Sequence, residues 1–411
     1  MTDATLTELS RSGPRSNLLG RVARHRVLSR LATLREGMLR IHENDEVAEF
    51  GAPGHGLEAD VFVRDLAFYA EIAFSGSVGA GESYMLGHWQ TDDLTALMRL
   101  LLRNRHALDA METGLARVSG PLRLAAHWLH RNTRAGSRRN ISAHYDLGNE
   151  FFRLFLDETM MYSCALFERP DMSLAEASTA KLDTICRKLA LGPRDHVLEI
   201  GSGWGGFALH AAGRYGCRIT TTTISPAQFE LTRERVRAAG LADRVTVLLE
   251  DYRDLKGSFD KLVSIEMIEA IGHQYFGEFF RRCAARLVPG GCMLLQSITI
   301  ADRHYARARD EVDFIKRYIF PGCCIPSISA LAQAMADSSD LRIVHLEDIG
   351  PHYATTLARW RENFIASCER VRALGYPDTF IRMWEFYLCY CEAGFAERAL
   401  GDVQFLLTRE G

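Results

Sequence analysis

The 411-residue sequence predicts an α/β protein, a doubly wound and mostly parallel sheet preceded by a smaller α+β domain. Three observations carry that reading. Residues 196–207, HVLEIGSGWGGF, turn an alternating apolar run into the glycines Gly201, Gly203, Gly205 and Gly206, then into an Ala- and Leu-rich helical pattern. Beyond them strand-like and helix-like stretches alternate, as crossovers between parallel strands require. A last strand-like run, 403–408, follows a long helical region, 356–396, and closes the pattern.

Taken in order, residues 1–15 are short, polar and rich in Ser and Arg, and are expected to be disordered. Apolar residues from Leu18 to Met38 then recur at near-helical spacing among arginines. This amphipathic basic helix either packs on its own domain or lies on a membrane surface. Strand-like runs 38–50 and 57–64 flank a turn at 51–56, and helices over 65–74 and 92–104 flank the glycine-rich segment 76–87. The α+β domain is expected to end near residue 110, and 111–139 reads as a basic linker or hinge helix. HYDLGNEFF (144–152) and MYSCALF (161–167) precede a helix over 174–191, which turns at Gly192-Pro193 into the strand 196–200. Strands 218–224, 245–250, 261–265, 292–299 and 341–346 follow, with helices 226–239 and 276–287 between them. The apolar insertion 313–327, DFIKRYIFPGCCIPS, is either core packing or a wall for a greasy substrate.

Composition excludes several classes. A hydrophobic fraction of 47% and a charged fraction of 25% are ordinary for a globular protein, and no apolar run reaches the length of a membrane-spanning helix. Ten cysteines without a C-x-x-C pair or metal-ligand spacing argue against a zinc site or a disulfide framework, so no metal and a cytoplasmic location are expected. The net charge of −3 hides two one-sided tracts. Residues 9–35 carry seven arginines and no acid, and 113–145 carry six and no acid. Both suit an anionic surface, so peripheral attachment to the inner face of a membrane is expected.

The glycine loop has the spacing G-x-G-x-G, not the dinucleotide spacing G-x-G-x-x-G, and Glu199 stands two residues before its first glycine. A carboxylate there would repel a pyrophosphate, but it suits the cationic amino-acid end of S-adenosylmethionine. The closing strand late in the chain fits the seven-stranded, Rossmann-like sheet of class I methyltransferases, whose last strand is antiparallel. A nucleic-acid methyltransferase is disfavoured: after the fourth strand stands Ser264-Ile265-Glu266-Met267, where amino-methylating enzymes of that kind carry Asn/Asp-Pro-Pro-aromatic.

HYDLGN, YSCALF, VLEIGSGWGG, TTISPAQ, EDYRDL, SIEMIEAIG and RYIFPG occur in this order between residues 140 and 411, taken as one domain. This series resembles the cyclopropane-fatty-acyl-phospholipid synthases, with a weaker likeness in the N-terminal region. The resemblance implies methyl(ene) transfer from S-adenosylmethionine to the cis double bond of an unsaturated phospholipid acyl chain, through a carbocation deprotonated by bound bicarbonate. It also implies a homodimer. Glu199, Gly201, Gly203, Thr223, Ile224, Gln228, Asp251 and Tyr252 match the cofactor-binding positions, and Tyr145, Tyr162 and Ser163 match residues that close over the cofactor. Cys164, Glu269, Ile298 and Tyr353 match four of the positions that cradle the bicarbonate.

At the fifth position, usually His, this chain has Gln296, and Ala270 replaces the His of a common Glu-His pair. These departures bear on the base, and hence on whether the product is a cyclopropane or a methyl- or methylene-branched chain. Each residue also has a plainer reading. Cys164 is a small core residue, Tyr353 a buried tyrosine with a satisfied hydroxyl, and Glu266 or Glu269 a helix cap. A non-catalytic lipid-surface protein is the remaining competitor.

Overall fold

The computed structural model describes residues 17–54, 56–106 and 147–411. The expectations for residues 1–15, the linker 111–139, Tyr145 and the domain boundaries near 110 and 139 lie outside the described residues. The chain forms two compact units. The smaller combines the described N-terminal stretch with Val312–Ile319 and Val371–Glu397, and the larger comprises the rest.

In the smaller unit, α1 (Asn17–Leu31) buries Ala23, Val27 and Leu31, one residue per turn, and leaves its arginines at the surface or partly covered. Strands β1 (Met38–Glu43), β2 (Glu46–Gly51), β3 (Glu58–Val63) and β4 (Trp89–Gln90) form a sheet of order β2-β1-β3-β4. The expected single run 38–50 is a hairpin, because Asn44 takes the left-handed conformation (φ 53°) that turns the chain.

A second difference concerns the glycine-rich segment. The expected helix 65–74 does stop there, because within α2 (Ala67–Met85) Gly76 (φ 57°, ψ −136°) kinks the chain between two helical stretches; the difference is that the residues after it, to Met85, are helical. Its glycines serve close packing: a Cβ at Gly81 would strike the ring of Phe314, and one at Gly79 the carbonyl of Glu71. The helix α3 (Leu94–Arg103) is capped by Asp93, whose carboxylate accepts from the Ala96 N–H at 2.8 Å. The helix Asp378–Ala396 packs on α2 and α3, with the Arg382 guanidinium 4.0 Å from the centre of the Tyr84 ring.

The larger unit is built on β5 (His196–Ile200), β6 (Arg218–Thr223), β7 (Val245–Leu249), β8 (Phe259–Ile265), β9 (Leu287–Ile300), β10 (Leu341–Asp348) and β11 (Leu400–Arg409). Their order is β10-β11-β9-β8-β5-β6-β7, with β11 antiparallel to both neighbours and every other pairing parallel. This is the class I methyltransferase topology. Helices α4 (Leu174–Lys188), α5 (Gly206–Tyr215), α6 (Pro226–Ala238), α7 (Phe276–Arg286), α8 (Ile328–Ser338) and α9 (Gly350–Ala366) surround it.

Successive strand residues serve opposite faces. Leu198, Leu262 and Met293 enter one apolar core with Phe279 and Phe280, while Val197, Val263 and Leu294 enter the other with Ile185 and Phe207. Among the described residues both faces of the central strands are covered by these cores, which leaves their ends for a ligand. The strand order reverses between β5 and β8, so a crevice opens at the carboxyl ends there.

Candidate active site

The crevice is a cleft lined by the β5–α5 loop, the ends of β6, β7 and β8, and residues 160–163. Every cofactor position expected from the sequence, Tyr145 aside, lines it: Tyr162, Ser163, Glu199, Gly201, Gly203, Thr223, Ile224, Gln228, Asp251 and Tyr252. The loop glycines divide by role. A Cβ on Gly206 would collide with Met161 and the Thr159 carbonyl, so that glycine serves packing. A Cβ on Gly203 (φ 49°) would meet no protein atom within 4 Å, so what requires a glycine there is the left-handed backbone and whatever approaches it in the cleft.

The loop is braced from behind. Trp204 donates its indole N–H to Asn149 at 2.7 Å, and Arg235 donates to the Trp204 carbonyl at 2.7 Å. On the far wall Ser225 caps α6 and Pro226 starts it, which places Gln228 to accept from the Thr223 hydroxyl at 2.8 Å. Asp251 is held by Arg253, whose Nε and Nη2 donate to its two oxygens at 2.8 and 2.6 Å.

Two polar atoms on this wall await a partner: the Glu199 Oε2 and the Tyr252 hydroxyl are buried without a hydrogen bond. Burial pushes Glu199 up to about 8, because no cation is near enough to offset the lost hydration fully. A buried carboxylate needing a cation, above a glycine backbone open to the cleft, fits the amino-acid end of S-adenosylmethionine. Tyr162 adds an aromatic wall, with ring centroids 5.2 Å from Trp360, 5.3 Å from Phe152 and 6.5 Å from Phe320.

The residues expected to cradle bicarbonate gather behind this cleft, around carboxylates that the protein itself supplies. Glu266, at the end of β8, lines the cleft and accepts from the Cys164 N–H at 2.8 Å, the Gln296 Nε2 at 2.7 Å and the Tyr353 hydroxyl at 2.6 Å. Glu269 accepts at one oxygen from the Ile298 N–H (2.6 Å) and the Ser297 hydroxyl (2.8 Å), and its other oxygen is buried without a partner. Gln296 also donates to Asp402 at 2.9 Å and accepts from Gln404 at 3.0 Å, which fixes which way its amide points. Of the five expected positions, the four that donate, Cys164, Gln296, Ile298 and Tyr353, are therefore committed to carboxylates of the protein, and an added anion would meet Glu266 and Glu269. Bicarbonate does not fit the site as it stands.

The electrostatics follow from burial. Glu269 is pushed up to about 8, first by desolvation and then by the charge of Glu266. Glu266 is raised by desolvation, opposed by the hydrogen bonds from Tyr353 and Cys164 and by the charge of Lys181. Asp402 is raised well above the usual carboxylate range, first by burial and then by the charge of Glu266. Lys181, fully buried, donates to the Ser163 hydroxyl at 2.8 Å; burial lowers its amine, opposed by the charge of Glu266. The Cys164 thiol is raised by burial and stays protonated; its N–H, not its sulfur, holds Glu266.

Sequence reasoning weighed Glu266 only as a helix cap and missed Lys181, Arg253, Asp402 and Gln404. Asp402 and Gln404 carried a signal, being buried polar residues two apart on one face of an otherwise apolar strand. Lys181 carried none, since a lysine on a helix ordinarily faces water.

The profile of the family described as mycolic acid cyclopropane synthetase matches residues 132–405. The chain is 39% identical over 355 residues to a tuberculostearic acid methyltransferase of Mycobacterium tuberculosis, covering 85% of this chain and 82% of that one. It is 36% identical over 360 residues to the cyclopropane-fatty-acyl-phospholipid synthase of Escherichia coli, covering 85% and 88%. Among solved structures, the cyclopropane synthase MmaA2 of Mycobacterium tuberculosis superposes with a TM-score of 0.62 at 31% identity, over 66% of this chain and 98% of that one.

Proposed function

The chain belongs to the mycolic acid cyclopropane synthetase family and is an S-adenosylmethionine-dependent methyltransferase of lipid or fatty-acyl chains, and from that premise we propose that it methylates the cis double bond of an unsaturated phospholipid acyl chain and closes a cyclopropane there. The observation that carries this reading is Glu266, which lines the cofactor cleft and also centres the carboxylate cluster, so a base stands beside the place where a methyl donor fits.

S-adenosylmethionine, when bound, supplies an electrophilic methyl group. The residues do the rest. Glu199 would face the ammonium and the Gly203 backbone would admit the amino-acid chain, while Gln228, Asp251 and Tyr252 line the remainder of the cleft. An unactivated alkene is a weak nucleophile, so its π pair must be held in line with the methyl in a water-poor pocket. As the new C–C bond forms, the neighbouring carbon becomes cationic, and the Tyr162 face, with Phe320 near it, stabilises that charge without bonding to it. Loss of a proton completes the reaction. The acyl chain reaches the site from the membrane surface, to which the arginine tracts hold the protein.

A second reading, a methyl- or methylene-branched acyl chain, is favoured by Gln296 and Glu266. The base is tethered to the protein here, and its position selects the proton. A relative's name, tuberculostearic acid methyltransferase, points the same way. Trideuterated methyl donor with unsaturated phospholipid vesicles tests both. A cyclopropane keeps two deuterons and shows no vinylidene signal. Three retained deuterons indicate a methyl-branched internal alkene; two with vinylidene signals indicate a methylene branch. Either as the main product replaces the first reading by the second.

A further inference from the structure

We infer that the Glu266 carboxylate is the base that takes the proton from the alkylated acyl chain, in the place that bicarbonate was expected to hold. This rests on the methylation proposed above and names the group that finishes it.

Three independent features lead there. First, the donors from Cys164, Gln296 and Tyr353 converge on one side chain of the protein, so an anion site is present and already filled. Second, Glu266 is the member of this cluster that lines the cleft; Glu269, Gln296, Ile298 and Tyr353 stand behind it. Third, Glu266 has a left-handed backbone (φ 49°), a conformation that costs a non-glycine residue energy and that glycine adopts freely. Its N–H is held by the Gln296 carbonyl at 2.9 Å. A strained glutamate kept where a glycine would fit more easily points to a use for its carboxylate.

Burial raises Glu266 above the ordinary carboxylate range, which makes it a stronger base than an exposed glutamate, while Tyr353, the Cys164 N–H and Lys181 keep the ionised form accessible. The step balances. A C–H bond of the cationic chain breaks, and its electron pair closes the ring or forms the alkene. The proton passes to Glu266 and leaves through the cleft after product release. Tyr353 and Gln296 are positioning residues, which hold the carboxylate and do not touch the chain.

The test uses the full-length protein, unsaturated phospholipid vesicles and carbonate-free buffer. Wild-type turnover should stay within about twofold of its value with added bicarbonate. Glu266→Gln should bind S-adenosylmethionine normally yet lose roughly 100-fold or more in single-turnover rate. Glu266→Gly, which suits the backbone conformation, should regain activity in proportion to added bicarbonate. Wild-type activity that collapses without bicarbonate, or a cofactor-binding Glu266→Gln that keeps its rate, would overturn the inference while leaving methylation standing. A wild type that makes no methylated acyl chain removes both.

Discussion

At the scale of single residues, the site works by leaving buried groups short of a partner. Burial pushes Glu199 to about 8 in the free protein, and the ammonium proposed to face it would draw it back to the ionised form. Cofactor binding should therefore release a proton, and affinity should strengthen by up to roughly tenfold per pH unit between pH 6 and 8, then level off. Calorimetry in buffers of different ionisation enthalpy reads both effects, and Glu199→Gln should bind weakly and without the pH dependence. The same groups set stability. Glu199 and Glu269 titrate near 8 in the fold, whereas an unfolded glutamate titrates near about 4.3. Between those values the native state binds more protons, so the stability they contribute is complete at the acid end and is lost as pH rises through about 8. The unliganded protein should melt lower at pH 8.5 than at pH 6, with the difference shrinking in Glu199→Gln. The loop glycines separate the two kinds of effect: Gly203→Val should lose cofactor binding in a folded protein, whereas Gly206→Val should lower the melting temperature by forcing Met161 and the Thr159 carbonyl aside.

At the scale of elements, helix starts and strand ends place the functional groups. α4 opens with a capping box in which Ser173 and Glu176 satisfy each other's backbone N–H groups, and it carries Lys181 two turns later to Ser163. Ser173→Ala should cost about 1 kcal/mol of stability by denaturant unfolding and leave cofactor affinity unchanged, since the cap stands apart from the cleft. Much of this level was legible in the sequence. The strand-glycine-helix pattern at 196–207 and the alternation after it translate directly into β5, α5 and the sheet, because strand-like runs separated by helical patterns mark parallel strands joined by crossover helices, with an apolar core on each face of the central strands. The glycine segment 76–87 was partly legible: Gly76 does break the helix, but Gly79 and Gly81, admitted for close packing inside the second helical stretch, look in sequence like loop residues. The carboxylate cluster was half legible. Glu269, Gln296, Ile298 and Tyr353 could be picked out one by one, but that Glu266 would take up three of the expected donors depends on the ends of two strands, a helix and the segment around Cys164 meeting, which no local pattern encodes.

At the scale of the whole molecule, the proposed reaction requires the cofactor cleft of the larger unit to take its acyl chain from an anionic membrane surface. Among the described residues no helix is long and apolar enough to cross a membrane. Vesicle binding should weaken with rising salt, and replacing Arg134, Arg138 and Arg139 by Glu should reduce it without changing cofactor affinity; flotation that ignores salt would show apolar insertion to dominate instead. The central claim, that the methyl group goes to a carbon of an acyl double bond, is tested most directly by supplying labelled S-adenosylmethionine with vesicles of unsaturated or of fully saturated phospholipid. S-adenosylhomocysteine should form only with the unsaturated vesicles, in step with label recovered in the released fatty acids. Label in the head group, or equal turnover on the saturated vesicles, would contradict it.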